Sequence, residues 1–279
     1  EPTDVDYTFI GVNLVNGEID VSSNDLDICS VVGPYAYNHR LLNESFYQKY
    51  GQVTVRARNT NTDVTIHSTF NVDRSQAIAY GSDAFSPALG IKSRVLLELK
   101  TAKEADVLPT GHRVDRVLGH HVSCINGISP CVFLRADELG IDNTNLLDPM
   151  QDLPKEALRK VEAIRSEAAV RIGLATSPLI HPNKFLDIVI ISTPSTCKLP
   201  SGEVVNPANT DLFMRGVALH TQGRPLPLHE ALTTAVAAQI QDSIVEQLLP
   251  PELAYDDVIT LGHASGRIQV NATIPQGSK

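Results

Sequence analysis

The feature that most constrains this chain is a pattern used twice in succession: short strands of alternating polarity gathered around one strongly apolar helical stretch. In the first hundred or so positions, Tyr7 to Val21 alternates apolar and polar residues and breaks at Asn16-Gly17, a hairpin signal. Ser22-Ser23-Asn24-Asp25 then precedes an apolar segment, Ile28 to Tyr37, which predicts a buried helix that Gly33-Pro34 would kink. Strands are predicted at Val53 to Arg58, Val64 to Val72 and Ser93 to Leu99, with Asn59 to Asp63 as the turn between the first two.

From Leu108 the pattern begins again. Val114 to Val117, His121 to Ile125 and Cys131 to Arg135 read as short strands. A helix is predicted from Leu153 to Ile172, with Asp152 as its N-cap, Pro154 in its first turn and Gly173 ending it. Leu158, Val161, Ile164, Ala168 and Ile172 line its apolar face. Phe185 to Ser192 is nearly all apolar and so belongs in the middle of a sheet. Strand Asp211 to Leu219, a second long helix from Pro227 to Leu249, strand Val258 to Leu261, a loop at Gly262 to Gly266 and strand Arg267 to Thr273 complete the chain. The fold class is α+β, in two halves, 1–106 and 107–279, with strands wrapped around central helices.

Composition narrows the partners. The net charge of −9 argues against nucleic acid, whose phosphates demand basic patches, yet leaves room for an anionic small ligand held by backbone dipoles. No apolar run approaches the about 18 residues of a membrane span. The chain opens Glu1-Pro2-Thr3-Asp4 with no secretory signal in view, which gives a cytoplasmic expectation. Cys29, Cys124, Cys131 and Cys197 show neither metal-ligand spacing nor a disulfide framework, and no metal is expected. His112, His120, His121 and His220 have no ligand spacing and read as structural.

Several stretches, in order along nearly the whole chain, carry a family resemblance. They are Asp4-Val5-Asp6-Tyr7-Thr8-Phe9, Asp20-Val21-Ser22-Ser23-Asn24, Val32-Gly33-Pro34-Tyr35-Ala36, Leu108-Pro109-Thr110-Gly111, Ser129-Pro130-Cys131-Val132-Phe133-Leu134-Arg135-Ala136 and Gly262-His263-Ala264-Ser265-Gly266. Together they resemble the 2-methylaconitate isomerase (PrpF-type) family of the diaminopimelate-epimerase-like superfamily. The resemblance implies two similar halves, each a curved, mostly antiparallel sheet around a central helix, with the active site in the cleft between them. It also implies a cofactor-independent isomerase: a base removes a proton beside a carboxylate of an unsaturated di- or tricarboxylic acid such as an aconitate, and the proton returns elsewhere. The developing dianionic enolate needs preorganised donors, which helix N-termini supply.

Residue by residue, the carry-over is uneven. The family's Asn-Cys-Gly-Asn is Asn24-Asp25-Leu26-Asp27 here, so Asp25 takes the place of the acid/base cysteine and Leu26 that of a ligand-approaching glycine. Asp25 and Asp27 read equally as N-caps of the helix that follows. His229 beside Glu230, at the expected start of the second long helix, is an acid–base candidate or an ordinary first-turn pair. Arg224 matches a basic position and would clamp a carboxylate. Gly262, His263, Ser265 and Gly266 agree with the family's ligand loop, and Ser129 replaces an asparagine with part of its hydrogen-bonding capacity.

The family's opening Arg-Gly-Gly-Thr-Ser-Lys-Gly segment, its later lysine and its last strand have no counterpart in these residues. The expectation is therefore of a first half short at its start and a second half short at its end. Either these residues are part of a longer protein, or a further chain or a homodimer partner covers the open edge. Two rivals stand beside the isomerase: a repurposed scaffold binding a different metabolite and catalysing another reaction, and a non-catalytic homologue.

Overall fold

The computed structural model describes residues 2–12, 17, 19–20, 26–48, 50–61, 63–79, 93–100, 107–148, 153–177, 186–198, 202, 204–208, 210–217, 226–253, 257–264 and 266–273. They divide into two compact units, the first made of the described residues up to Lys100 and the second of those from Val107 onward.

The first unit holds β1 (Val5–Tyr7), β2 (Gly11–Val12), β3 (Ile19–Asp20), α1 (Leu26–Asn38), β4 (Gly51–Asn59), β5 (Thr65–Asp73), β6 (Gln76–Ala77) and β7 (Val95–Lys100). β4 and β5 form a long antiparallel pair; β6 and β7 both join β5, and β1 lies parallel to β4. Register explains two bidentate ion pairs. Asp6 stands opposite Arg58, and Asp4, two residues before it, meets Arg56, each guanidinium gripping both oxygens of its carboxylate. The expected hairpin is present as β2 paired with β3, with Gly17 at φ 73°; Asn16 lies outside the described residues.

α1 packs on β4 through β7. Its buried side carries Cys29, Ala36 and Tyr37 against Val53, Val55 and Phe70, and Tyr7 Oη meets Cys29 Sγ at 3.0 Å. Gly33 lets the helix approach: a β-carbon there would lie 2.5 Å from Ser68 Oγ. Pro34 sits within the helix, which runs to Asn38 without interruption.

The second unit is a seven-stranded sheet, ordered β16-β15-β14-β11-β10-β9-β8. Its strands are β8 (Asp115–Val117), β9 (His120–Asn126), β10 (Pro130–Arg135), β11 (Asp187–Ser192), β14 (Leu212–Val217), β15 (Ile259–His263) and β16 (Gly266–Val270), while β12 (Cys197–Lys198) and β13 (Val204–Val205) form a separate hairpin. Most pairings are antiparallel; β10–β11 and β14–β15 are parallel. β11 is central, as its apolar run requires, and helices cover both faces. Ile188 and Ile190 pack with α2 (Asn143–Leu147) and α3 (Lys155–Arg171), whereas Val189 and Ile191 pack with α4 (Leu228–Ala238) and α5 (Ile244–Leu248).

Three expectations are corrected. Pro154 is the N-cap of α3, with no side-chain cap, and Asp152 lies outside the described residues. The single helix expected from Pro227 to Leu249 is two: after Gln239 the chain turns through Asp242, at φ 62°, and Ser243 caps α5 by accepting from the Glu246 N–H. Gly262 and His263 belong to β15 rather than to a loop, and Gly266 opens β16. No helix among the described residues is long and apolar enough to cross a membrane.

Candidate functional site

One end of the second sheet gathers the chemically capable side chains. β10 and β11 start there, with Cys131 in register with Asp187, while β14 runs out past Gly216, which pairs with Val189. Alternation puts Cys131, Asp187 and Gly216 on the face that α4 covers, alongside Phe133, Val189 and Met214. The first turn of α4 lies over this end.

Thr233 pins the helix in place. Its Oγ1 accepts from the N–H groups of Ile128 (3.2 Å) and Ser129 (3.4 Å) and donates to the Ser129 carbonyl (3.2 Å). Gly127 makes the approach possible, since a β-carbon there would stand 2.9 Å from the Thr233 side chain. With the helix so held, His229 Nε2 lies 3.1 Å from Asp187 Oδ2, and Ser129 Oγ donates to that same oxygen at 3.3 Å. Glu230 turns inward, 2% exposed, against the Cα of Gly216. The His229 and Asp187 side chains keep 28% and 27% exposure, so the pair opens to solvent while Glu230 does not.

Electrostatics at this end are dominated by the two carboxylates. The Cys131 thiol is pushed well up, first by burial and then by the negative charges of Asp187 and Glu230, so it is inert as a nucleophile. One donor atom from each of Asp187, His229 and Glu230 falls within 4.8 Å of the others, a spacing that a divalent ion can bridge. The same geometry places His229 in direct contact with Asp187, a hydrogen-bonded dyad beside a buried carboxylate. What it can do is acid–base work, with the imidazole exchanging a proton and the carboxylate stabilising the charge that results.

The comparisons with known proteins agree with this architecture. The profile of the PrpF protein family matches residues 1–279, the whole chain. The chain belongs to the PrpF family. A 3-methylitaconate isomerase of Eubacterium barkeri is 26% identical over 286 residues, covering 98% of this chain and 73% of the relative. A 2-methyl-aconitate isomerase of Shewanella oneidensis is 25% identical, covering 98% and 71%. Among solved structures, a methylitaconate-delta-isomerase superposes with a TM-score of 0.82 at 25% identity, over 98% of this chain and 72% of that one. The relatives of this PrpF-family chain are thus isomerases, and the two-unit α+β fold is theirs.

Of the residues singled out in the sequence, the structure brings Ser129, His229 and Glu230 together. Leu26 and Asp27 begin α1, in the other unit, and only their backbone is described. Asn24, Asp25, Arg224 and Ser265 lie outside the described residues. Gly262 serves packing: a β-carbon would meet the Phe213 ring at 2.7 Å, on the face that carries α3. His263 points to the opposite face with Ile259 and Leu261, and burial lowers its imidazole to about 4, which keeps it neutral. Three participants escaped the sequence reading: Asp187, Thr233 and Gly216. A lone aspartate heading an otherwise apolar strand was the available signal for Asp187.

Proposed function

We propose that this PrpF-family chain is an isomerase of small unsaturated di- or tricarboxylic acids of the methylitaconate or methylaconitate kind, with His229 exchanging the proton. The observation that carries the reading is a part-exposed imidazole at the start of an eleven-residue helix, hydrogen-bonded through Nε2 to a carboxylate at 3.1 Å. Cys131 and Glu230 at this end are buried, whereas the His229 side chain keeps part of its surface in solvent, where a ligand can reach it.

The chemistry needs no redox step. A base takes the proton from the carbon beside a carboxylate, and the C–H electron pair joins the neighbouring double bond as a dienolate. The proton then returns to the far carbon of the three-carbon unit, and the double bond has moved. The positive end of α4 favours the anionic ligand. Arg224, Ser265, Asn24 and Asp25 take the carboxylate-binding and second-base roles in this proposal, on the family correspondence alone. No cofactor is required by this scheme. Four cysteines without a disulfide fit a cytoplasmic location.

A second reading, a scaffold repurposed for another metabolite, is favoured by one specific feature. Glu230 and Asp187 add two carboxylates where a polyanion would bind, which suits a substrate with fewer acid groups. One experiment separates the two readings. The protein is incubated with a panel running from monocarboxylic to tricarboxylic unsaturated acids in deuterated water, and products are read by NMR. Deuterium at the allylic carbons of a di- or tricarboxylic acid, with double-bond migration, supports the isomerase. Exchange only in monoacids supports the repurposed scaffold, and a panel free of deuterium overturns both.

A further inference from the structure

We infer that Asp187 is the positioning residue of this centre: it fixes which imidazole nitrogen of His229 carries hydrogen and so presents the Nδ1 lone pair to the substrate. The inference rests on the reading of His229 as the proton-exchanging group.

Asp187 begins β11, and the four residues that follow it, Ile188 to Ile191, are fully buried, so its backbone is anchored in the middle of the sheet. Its register with Cys131 and its alternation with Val189 aim the carboxylate at α4. An ionised carboxylate can only accept hydrogen bonds, so the nitrogen 3.1 Å from it, Nε2, must be the N–H. In the neutral ring the lone pair then sits on Nδ1. When Nδ1 takes a proton, the imidazolium forms directly against a negative charge, which favours that state. Ser129, just before β10, holds the same carboxylate oxygen, and Thr233 holds the Ser129 backbone to α4, so the aspartate and the histidine are fixed by one chain of contacts.

Among the described residues, Asp187 is the titratable group hydrogen-bonded to His229. The titratable side chains that the described elements bring to this end are Asp187 on β11, Cys131 on β10 and Glu230 on α4. β9 ends there in Asn126; Arg267 on β16 donates to the Ala208 carbonyl, and Glu246 on α5 accepts from the Asp242 N–H. A carboxylate beside the binding place of an anion weakens ground-state binding, which a purely structural role does not require.

The test uses the full chain with a substrate that the wild type isomerises. Asp187→Asn removes the charge and keeps the shape, and Ser129→Ala loosens the same carboxylate. The expected result for D187N is a fall in kcat of roughly 10- to 100-fold with KM unchanged or lower, the size seen when the outer partner of a metal-bound histidine is removed. The acid limb of the kcat profile should also move to lower pH by about one unit. S129A takes a competing donor off the oxygen that holds His229, so it should move the same limb by less and to higher pH, and it serves alone if D187N does not fold. Wild-type kcat with an unmoved acid limb in D187N, or an unmoved limb in S129A when D187N cannot be read, overturns the inference. A His229→Gln variant with wild-type turnover would instead sink the reading of His229 itself. An inactive H229Q beside a normal D187N removes Asp187 alone.

Discussion

Glu230 lies directly over Gly216, its carboxyl group filling the space that any side chain at position 216 would need. Glycine in the body of a strand is unfavourable unless something approaches its backbone, and here a buried carboxylate does. Gly216→Ala should therefore displace Glu230 and destabilise the second unit by about 1–3 kcal/mol in urea unfolding, the usual cost of overpacking. Glu230→Ala should relieve it, so the double variant will be more stable than the sum of the single losses. Additive losses would show that the two residues are not coupled.

His263 sets an acid limit on stability. Burial holds its imidazole at about 4 in the folded chain, against 6.5 when unfolded. The unfolded chain therefore takes up the proton first. The stabilisation is complete above pH 6.5, drains as the pH falls from 6.5 to 4, and is flat below that. Its size is at most about 3 kcal/mol, reduced by the exposure that the ring retains. His263→Gln should flatten the unfolding free energy across this window, and an unchanged slope would contradict the assignment.

The thiols should be spectators. Burial, then Asp115, pushes Cys124 up to about 12; burial, then Asp187 and Glu230, holds Cys131 well above the usual thiol value, while Cys29 is also buried. Cys197 is partly exposed on the small β12–β13 hairpin. Iodoacetamide at pH 8 should label Cys197 first by mass spectrometry and leave turnover intact. Activity lost in step with labelling of Cys131 would restore a cysteine to the chemistry.

Arg165 of α3 reaches through the core to donate to the carbonyls of Leu186 and Val217, the residues flanking Asp187 and Gly216 on their strands. Its remaining partner, Glu162, is part-exposed and can be hydrated when the arginine is removed, so the loss comes mainly from two stranded carbonyls. Arg165→Met should cost roughly 2–4 kcal/mol. Arg165→Lys should recover part of that, since an ammonium cannot fork to both carbonyls as a guanidinium does. Thermal denaturation of the two variants measures both effects, and equal stability of R165K and the wild type would contradict the fork.

Much of the fold was legible because its signals are local. Alternation located β4, β5 and β7, and a run without alternation identified β11 as central. The break between α4 and α5 was missed because apolar residues continue at helical spacing through Ile240 and Ile244. The stop is carried by Asp242 in a left-handed conformation and by Ser243-x-x-Glu246, a cap that competes with that periodicity. The site was legible in part. His229, Glu230 and Ser129 stood out through their own chemistry or the family motif. Asp187 lies 42 residues from His229 along the chain, and only the parallel pairing of β10 with β11 brings it beside them. Gly216 has no signal until Glu230 is seen over it.

The most direct measurement is the rate of deuterium exchange from solvent into an isomerisable unsaturated diacid, compared between the wild type and His229→Gln at equal folded concentration. With His229 as the proton carrier, the wild type exchanges and H229Q slows by about 100-fold or more while its melting temperature stays within a few degrees. Equal exchange rates in the two proteins would contradict an acid–base centre at the start of α4.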